Sequence, residues 1–176
     1  MYYESVFRTF QREKVSYLIA GGMAVNLYGV PRFTKDLDIL IDPSEGNLKR
    51  LGKALKFLGY KPKVPVSFKE FLNPANWTKW KREKGMIAFN LYHPKKAYEE
   101  IDLLVNVPLS FSKAKKNSET LRAGNLRLYL VSLDDLIRMK RNSKRQQDLA
   151  DIEALKKVKK ARKGQWDKKG SSIPTL

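Results

Sequence analysis

The chain has 176 residues, no cysteine, one histidine and a formal net charge of +18 from 36 Lys and Arg against 18 Asp and Glu. The length suits a single domain with a helical extension, and the cysteine count excludes a disulfide framework or a thiolate metal centre. No N-terminal stretch has a signal-peptide layout. The longest mostly apolar run, Leu18 to Val30, is too short to span a bilayer and holds three glycines, so a cytoplasmic chain with no membrane role is expected.

The charge is unevenly spread. Residues 1–112 hold 18 basic and 11 acidic side chains, whereas residues 113–170 hold 18 and 7. Such a field attracts polyanions through counterion release, which makes nucleic acid the expected partner. A solvated lysine-rich surface is the plainer reading.

In chain order, Tyr3, Val6, Phe7 and Phe10 at spacings of three and four predict an amphipathic helix over residues 2–13. Tyr17–Ala20 reads as a buried strand, followed by Gly21-Gly22 and a short helix over Met23–Tyr28 that Gly29 and Pro31 stop. A second strand covers Asp36–Ile41. Strand side chains alternate faces, so Asp36 and Asp38 share one, roughly 6–7 Å apart. Two carboxylates so placed raise each other's pKa unless a cation lies between them. A hard divalent ion with oxygen ligands meets that need, and Mg²⁺ is the usual one beside phosphates. The Gly21-Gly22 turn opens a helix, where free N–H groups favour phosphate, and glycine permits close backbone approach. Arg32, Thr34 and Lys35 lie between the two halves of this unit.

Pro43 and Ser44 open a helix over residues 44–58 that Gly59 ends, with Leu48, Leu51, Leu55 and Leu58 on its inner side. Residues 61–66 read as extended, 67–72 as a helical turn, and Asn73-Pro74-Ala75-Asn76 as a loop. Trp77 and Trp80 among cations suit either base stacking or the core. Gly85–His93 is a strand, and the lone His93 argues against zinc. Glu100–Val105 is an apolar strand enclosing Asp102, whose burial is costly unless the carboxylate is paired or binds metal. Residues 108–118 read as a polar loop, and 119–131 as a hairpin about Gly124-Asn125. Ser132 caps a helix to about Arg141, and a last helix spans residues 145–158, with Asp148 and Asp151 on one face. Residues 1–158 form the expected domain, and 159–176 a basic, flexible C-terminal tail.

Gly21-Gly22 followed by Arg32-x-Thr34-x-Asp36-x-Asp38 resembles the signature of the nucleotidyltransferase (polymerase beta-like) superfamily. It is most similar to the minimal branch of AbiEii-like toxins and related small nucleotidyltransferases. Ser132-Leu133-Asp134-Asp135-Leu136-Ile137 with Lys140, then Arg145-x-x-Asp148-x-x-Asp151-Ile152, is similar to that branch's C-terminal motif. The likeness thus covers about residues 15–156. It implies an α/β (α+β) fold: a mixed sheet flanked by helices, with further helices at the C-terminus. It also implies a nucleoside triphosphate donor such as ATP, two Mg²⁺ ions, and transfer of a nucleoside monophosphate to an acceptor hydroxyl. Asp36, Asp38 and Asp102 become the metal ligands and catalytic carboxylates. Gly21, Gly22, Arg32, Thr34, Lys35, Lys140 and Asp148 become the nucleotide-binding set, although a salt bridge among Lys140, Arg145 and Asp148 is an equal reading. Many members carry Gly-Ser where this chain has Gly21-Gly22. The basic surface and the toxin-type likeness together favour an RNA acceptor, tRNA-like, with an antitoxin-like protein partner. A small-molecule, antibiotic-type acceptor and a non-catalytic nucleic-acid-binding module are the rival expectations.

Overall fold

A computed structural model describes residues 3–142 and 145–170, with side chains placed as far as residue 162. Its elements in chain order are α1 (Glu4–Arg12), β1 (Tyr17–Ile19), α2 (Gly21–Leu27), β2 (Asp36–Ile41), α3 (Glu45–Leu58), β3 (Lys61–Pro62), α4 (Phe68–Phe71), α5 (Pro74–Lys84), β4 (Ala88–His93), β5 (Lys96–Leu104), α6 (Phe111–Asn117), β6 (Glu119–Ala123), β7 (Leu126–Leu130), α7 (Leu133–Arg141) and α8 (Gln146–Gly170). The described strands form one mixed sheet in the order β3-β4-β5-β2-β1-β7-β6. Strand β1 runs antiparallel to β2 and parallel to β7, and β2 runs parallel to β5. The expected mixed α/β sheet with flanking and C-terminal helices is present.

The two faces of the sheet differ chemically because the strands alternate. Pairing of Tyr17 with Ile41 and Ile19 with Ile39 puts these side chains on one face with Leu37, Ile101, Leu103, Phe89 and Leu91. That face is the core. Helix α1 lays Phe7 and Phe10 against the Tyr17 ring at 6.2 and 5.3 Å. Phe71 stacks on Phe89 at 4.3 Å, with Trp80 on Phe89 at 6.2 Å. Each such side chain contributes about 1.5–3 kcal/mol when fully buried. Trp77 and Trp80 belong to this packing: Trp80 is buried, and Trp77 stacks on Phe71 while its Nε1 donates to the Phe71 carbonyl at 2.7 Å. The core reading of these residues is the one the fold realises.

Several local expectations change. Asn73-Pro74 opens a helix rather than a loop, because the Asn73 side chain accepts from Ala75 N–H at 3.1 Å and Pro74 fills the first helical position, where no N–H is needed. Residues 111–117 form α6, with Ala114 turned inward. Helix α2 starts at Gly21 itself, and β5 begins at Lys96, earlier than the apolar run alone suggests. Helix α8 continues to Gly170, and Arg162 ties it down through Glu119 (2.8 Å) and the Tyr28 ring. Residues 171–176 of the expected tail lie outside the described residues.

The fully buried Asn47 of α3 anchors the sheet. Its Oδ1 accepts from Ser16 N–H at 2.7 Å, and its Nδ2 donates to the carbonyls of Ser16 (2.9 Å) and Asp42 (3.0 Å). These are the backbone groups just before β1 and just after β2. Asn47→Ala strands them away from water and is expected to cost about 3 kcal/mol in urea denaturation, with the native far-ultraviolet spectrum retained.

Candidate active site

Strand β2 is paired on both edges, so Asp36 and Asp38 have no sheet edge over which to turn outward. They project from the face opposite the core. The parallel register sets Asp36 opposite Glu100 and Asp38 opposite Asp102, on strands about 4.8 Å apart. The next strand sets Asn90 opposite Asp102, and Asn90 Nδ2 donates to Asp102 Oδ1 at 2.7 Å. A row Asn90–Asp102–Asp38 therefore crosses three strands, and Gly21 closes it on the β1 side. Asp102 sits on an interior strand of the sheet.

Asp38 keeps some surface exposed, yet burial is the main reason its pKa rises to about 6. The charges of Asp102 and then Asp36 add to the rise, while the Gly22 N–H and the Lys140 ammonium oppose it. Burial also raises Asp102, against the Asn90 hydrogen bond. Asp36 Oδ1 is buried with no hydrogen-bond partner among the described residues. Glu100 differs: hydrogen bonds from Lys35 and Lys63 hold its pKa below the usual range. The Tyr3 hydroxyl joins the same end of the two strands. It lies 2.6 Å from the Lys35 carbonyl and 2.8 Å from the Glu100 carbonyl, and accepts from Glu100 N–H at 3.0 Å.

The donor set is made of hard oxygens, one of them unsatisfied, and this suits a divalent cation such as Mg²⁺. Among the described residues no three acidic, histidine or cysteine side chains form a ready-made cage. Magnesium does not need one, since it keeps several waters and commonly binds through one or two carboxylates plus substrate phosphates.

Gly21 has φ +54°, and an added Cβ there would overlap the Asp38 carboxylate. At Gly22 an added Cβ would come within 2.5 Å of Thr34 Oγ1 and 3.2 Å of the Arg32 guanidinium carbon. Thr34 thus fills the space into which a serine at position 22 would grow, which accounts physically for Gly-Gly in place of Gly-Ser. Helix α2 has only seven residues, so its summed dipole is small. The bare backbone and the nearby cations do more here.

Arg32 reaches from the glycine turn to the buried Asp151 of α8. Lys140, itself buried, pairs with Asp151 at 2.5 Å and Asp148 at 2.7 Å. Gln147 Nε2 adds a bond to Asp151 at 3.3 Å. Lys140 and Asp148 therefore pair as the salt-bridge reading expects, and they are joined by Asp151 and by Arg32, which was expected on the nucleotide. Lys35 turns toward β5 and pairs with Glu100. His93 lies at a strand end, where its Nδ1 accepts from Lys95 N–H at 3.1 Å. Asn90 and Tyr3 were also missed. The only available signal for Asn90 was a polar residue between the two apolar residues Phe89 and Leu91.

No protein-family model and no curated protein sequence matches the chain. Among solved structures, the lincomycin-bound crystal structure of the lincosamide antibiotic adenylyltransferase LnuA superposes with a TM-score of 0.57. The match covers 87% of this chain and 93% of that one at 18% sequence identity. The fold is therefore of the nucleotidyltransferase type. No helix among the described residues is long and apolar enough to cross a membrane.

Two outcomes follow from this geometry. Gly21→Ala combines a left-handed backbone with a clash on Asp38. It is expected to destabilise the chain by at least about 2 kcal/mol in thermal or urea melts. The raised pKa of Asp38 means that the folded chain binds its proton more tightly than the unfolded chain. The associated stability is complete below the unfolded value near 3.9 and is lost as pH rises through about 6. Asp38→Asn in EDTA-treated protein should therefore be more stable than the parent by about 3 kcal/mol at pH 8, and the gain should vanish below about pH 3.

Proposed function

We propose that the protein is a Mg²⁺-dependent nucleotidyltransferase that moves a nucleoside monophosphate from a nucleoside triphosphate to the terminal hydroxyl of an RNA. The observation that carries the reading is the in-register juxtaposition of Asp38 and Asp102, with Asp36 on the same face and Gly21 pressed against Asp38.

Asp36, Asp38 and Asp102 would hold the ions, which when bound neutralise the triphosphate and acidify the acceptor hydroxyl. The Gly21-Gly22 backbone would meet phosphate oxygens beside the Asp38 carboxylate, to which the Gly22 N–H already donates. Arg32 stands over this turn, and Lys140 is held behind it by Asp148 and Asp151. Their charge is fixed in place before substrate arrives, which limits reorganisation during reaction. Asp102, raised by burial and oriented by Asn90, accepts the proton of the acceptor hydroxyl.

The RNA reading rests on the +18 charge and on an acidic row whose members all remain part-exposed. A second reading, transfer to a small hydroxylated molecule, is favoured by the likeness to an antibiotic adenylyltransferase. Activity on RNA should fall steeply with salt, whereas activity on a small uncharged acceptor should not.

Incubation with labelled nucleoside triphosphates, Mg²⁺ and total RNA is expected to label RNA, and EDTA should abolish the labelling. Asp36→Asn and Asp102→Asn should each reduce transfer by about a thousandfold or more while leaving the chain folded by circular dichroism. Full activity in either folded variant overturns the carboxylate assignment.

A further inference from the structure

Displacement at phosphorus places the attacking and leaving oxygens roughly in line on opposite sides of the transferred group. On this sheet the carboxylates occupy the middle of the open face, and the Gly21-Gly22 turn lies on their β1 side. Given the nucleotidyl-transfer reading above, on which this inference rests, the pyrophosphate leaves toward that turn. The acceptor then approaches from the β5–β4 side.

That side carries a distinctive set of side chains. Tyr92 pairs with Glu100, and lies two residues from Asn90 along β4, so it shares the face of Asn90 and Asp102. Tyr98 precedes Glu100 by two residues on β5 and lies within electrostatic range of Lys35. Tyr98 is 71% exposed and Tyr92 38%. Between them Lys35 and Lys63 both reach Glu100, with side chains 42% and 41% exposed. Two lysine ammonium groups thus stand beside two open aromatic surfaces. Aromatic faces next to ammonium groups are what single-stranded nucleic acid uses, since every base has a π-face and every linkage a phosphate. Trp77 and Trp80 are not available for this, because both are spent in the core. An uncharged small molecule would find no use for the lysines.

We propose that the β4–β5 face bearing Tyr92, Tyr98, Lys35 and Lys63 seats the last nucleotides of a single-stranded RNA, with its 3′ hydroxyl presented to Asp102. The 3′ oxygen bonds to the α-phosphorus of the bound nucleoside triphosphate. The bond from that phosphorus to the bridging oxygen breaks, and its electron pair leaves with pyrophosphate. The hydroxyl proton passes to Asp102. The bases behind the terminal nucleotide stack on the tyrosines, and their phosphates meet the lysines.

The test uses the full chain and a short single-stranded RNA with a free 3′ hydroxyl and 2-aminopurine as its penultimate base, without donor nucleotide. Binding should quench the 2-aminopurine. Tyr92→Ala and Tyr98→Ala should each weaken binding by about tenfold and restore fluorescence, with an unchanged salt slope. Tyr98→Phe should bind as the parent does. Lys63→Ala should lower the slope of log affinity against log salt by about one. ATP affinity and melting temperature should stay within error in all of these variants. Unchanged RNA affinity and quenching in the Tyr92→Ala/Tyr98→Ala double variant overturn the proposal, as does a salt-independent small acceptor labelled in place of RNA. Failure of the parent protein to transfer nucleotide, with the tyrosine effects intact, overturns the nucleotidyl-transfer reading and supports the RNA seat by itself.

Discussion

The parallel pairing of β2 with β5 is the constraint on which everything else depends. Side chains alternate along both strands, so the register alone decides whether Asp38 meets Asp102 or a core leucine. A slip of one residue sends Asp102 to the packed face and Leu103 to the open one. A slip of two leaves the faces intact but sets Asp38 against Glu100, whose charge Lys35 and Lys63 already balance. The register is held from both sides. On the core side, Leu37, Ile39, Ile101 and Leu103 are fully buried and tolerate no shift. Beside the start of β2, the Tyr3 hydroxyl bonds to the backbone of Lys35 and, in β5, of Glu100.

The same pairing creates an electrostatic problem that the fold leaves partly unsolved. Burial raises the proton affinity of Asp38 and Asp102, and the neighbouring carboxylate charges add to it. Cations approach from two directions. Lys63 and Lys35 stand on the β5 side, committed mainly to Glu100, and Lys140 and Arg32 stand on the glycine side, committed mainly to Asp148 and Asp151. Neither pair directly bonds Asp36 or Asp38. The row between them stays short of positive charge, with one oxygen of Asp36 unsatisfied among the described residues. Stability withheld at this point is typical of a site built for a ligand rather than for the fold.

Much of this was legible in the chain. The alternation in Asp36–Ile41, the carboxylate enclosed in Glu100–Val105, and the Gly21-Gly22 turn between strand and helix are local patterns, and local patterns survive without coordinates. What was not legible depended on tertiary contact. Asn73-Pro74 carries both loop and helix-start chemistry, and the Asn73 cap together with the packing of Trp77 on Phe71 and Trp80 on Phe89 selects the helix. Asp151 looks like a surface residue by its spacing, but it becomes a buried partner of Arg32 once α8 is seated beside the turn. Asn90 and Tyr3 act through neighbours 12 and 97 residues away in sequence, beyond the reach of any periodicity.

The central claim is that Asp36, Asp38 and Asp102 converge on divalent cations beside a triphosphate lying on the Gly21-Gly22 turn. Anomalous diffraction from crystals grown with Mn²⁺ and a non-hydrolysable ATP analogue tests it most directly. The account predicts manganese peaks in contact with the Asp36 and Asp38 carboxylates, one of them also bound by Asp102, with the analogue's phosphates against Gly21 and Gly22. Nucleotide and manganese bound elsewhere on the chain, with the acidic row empty, would contradict it.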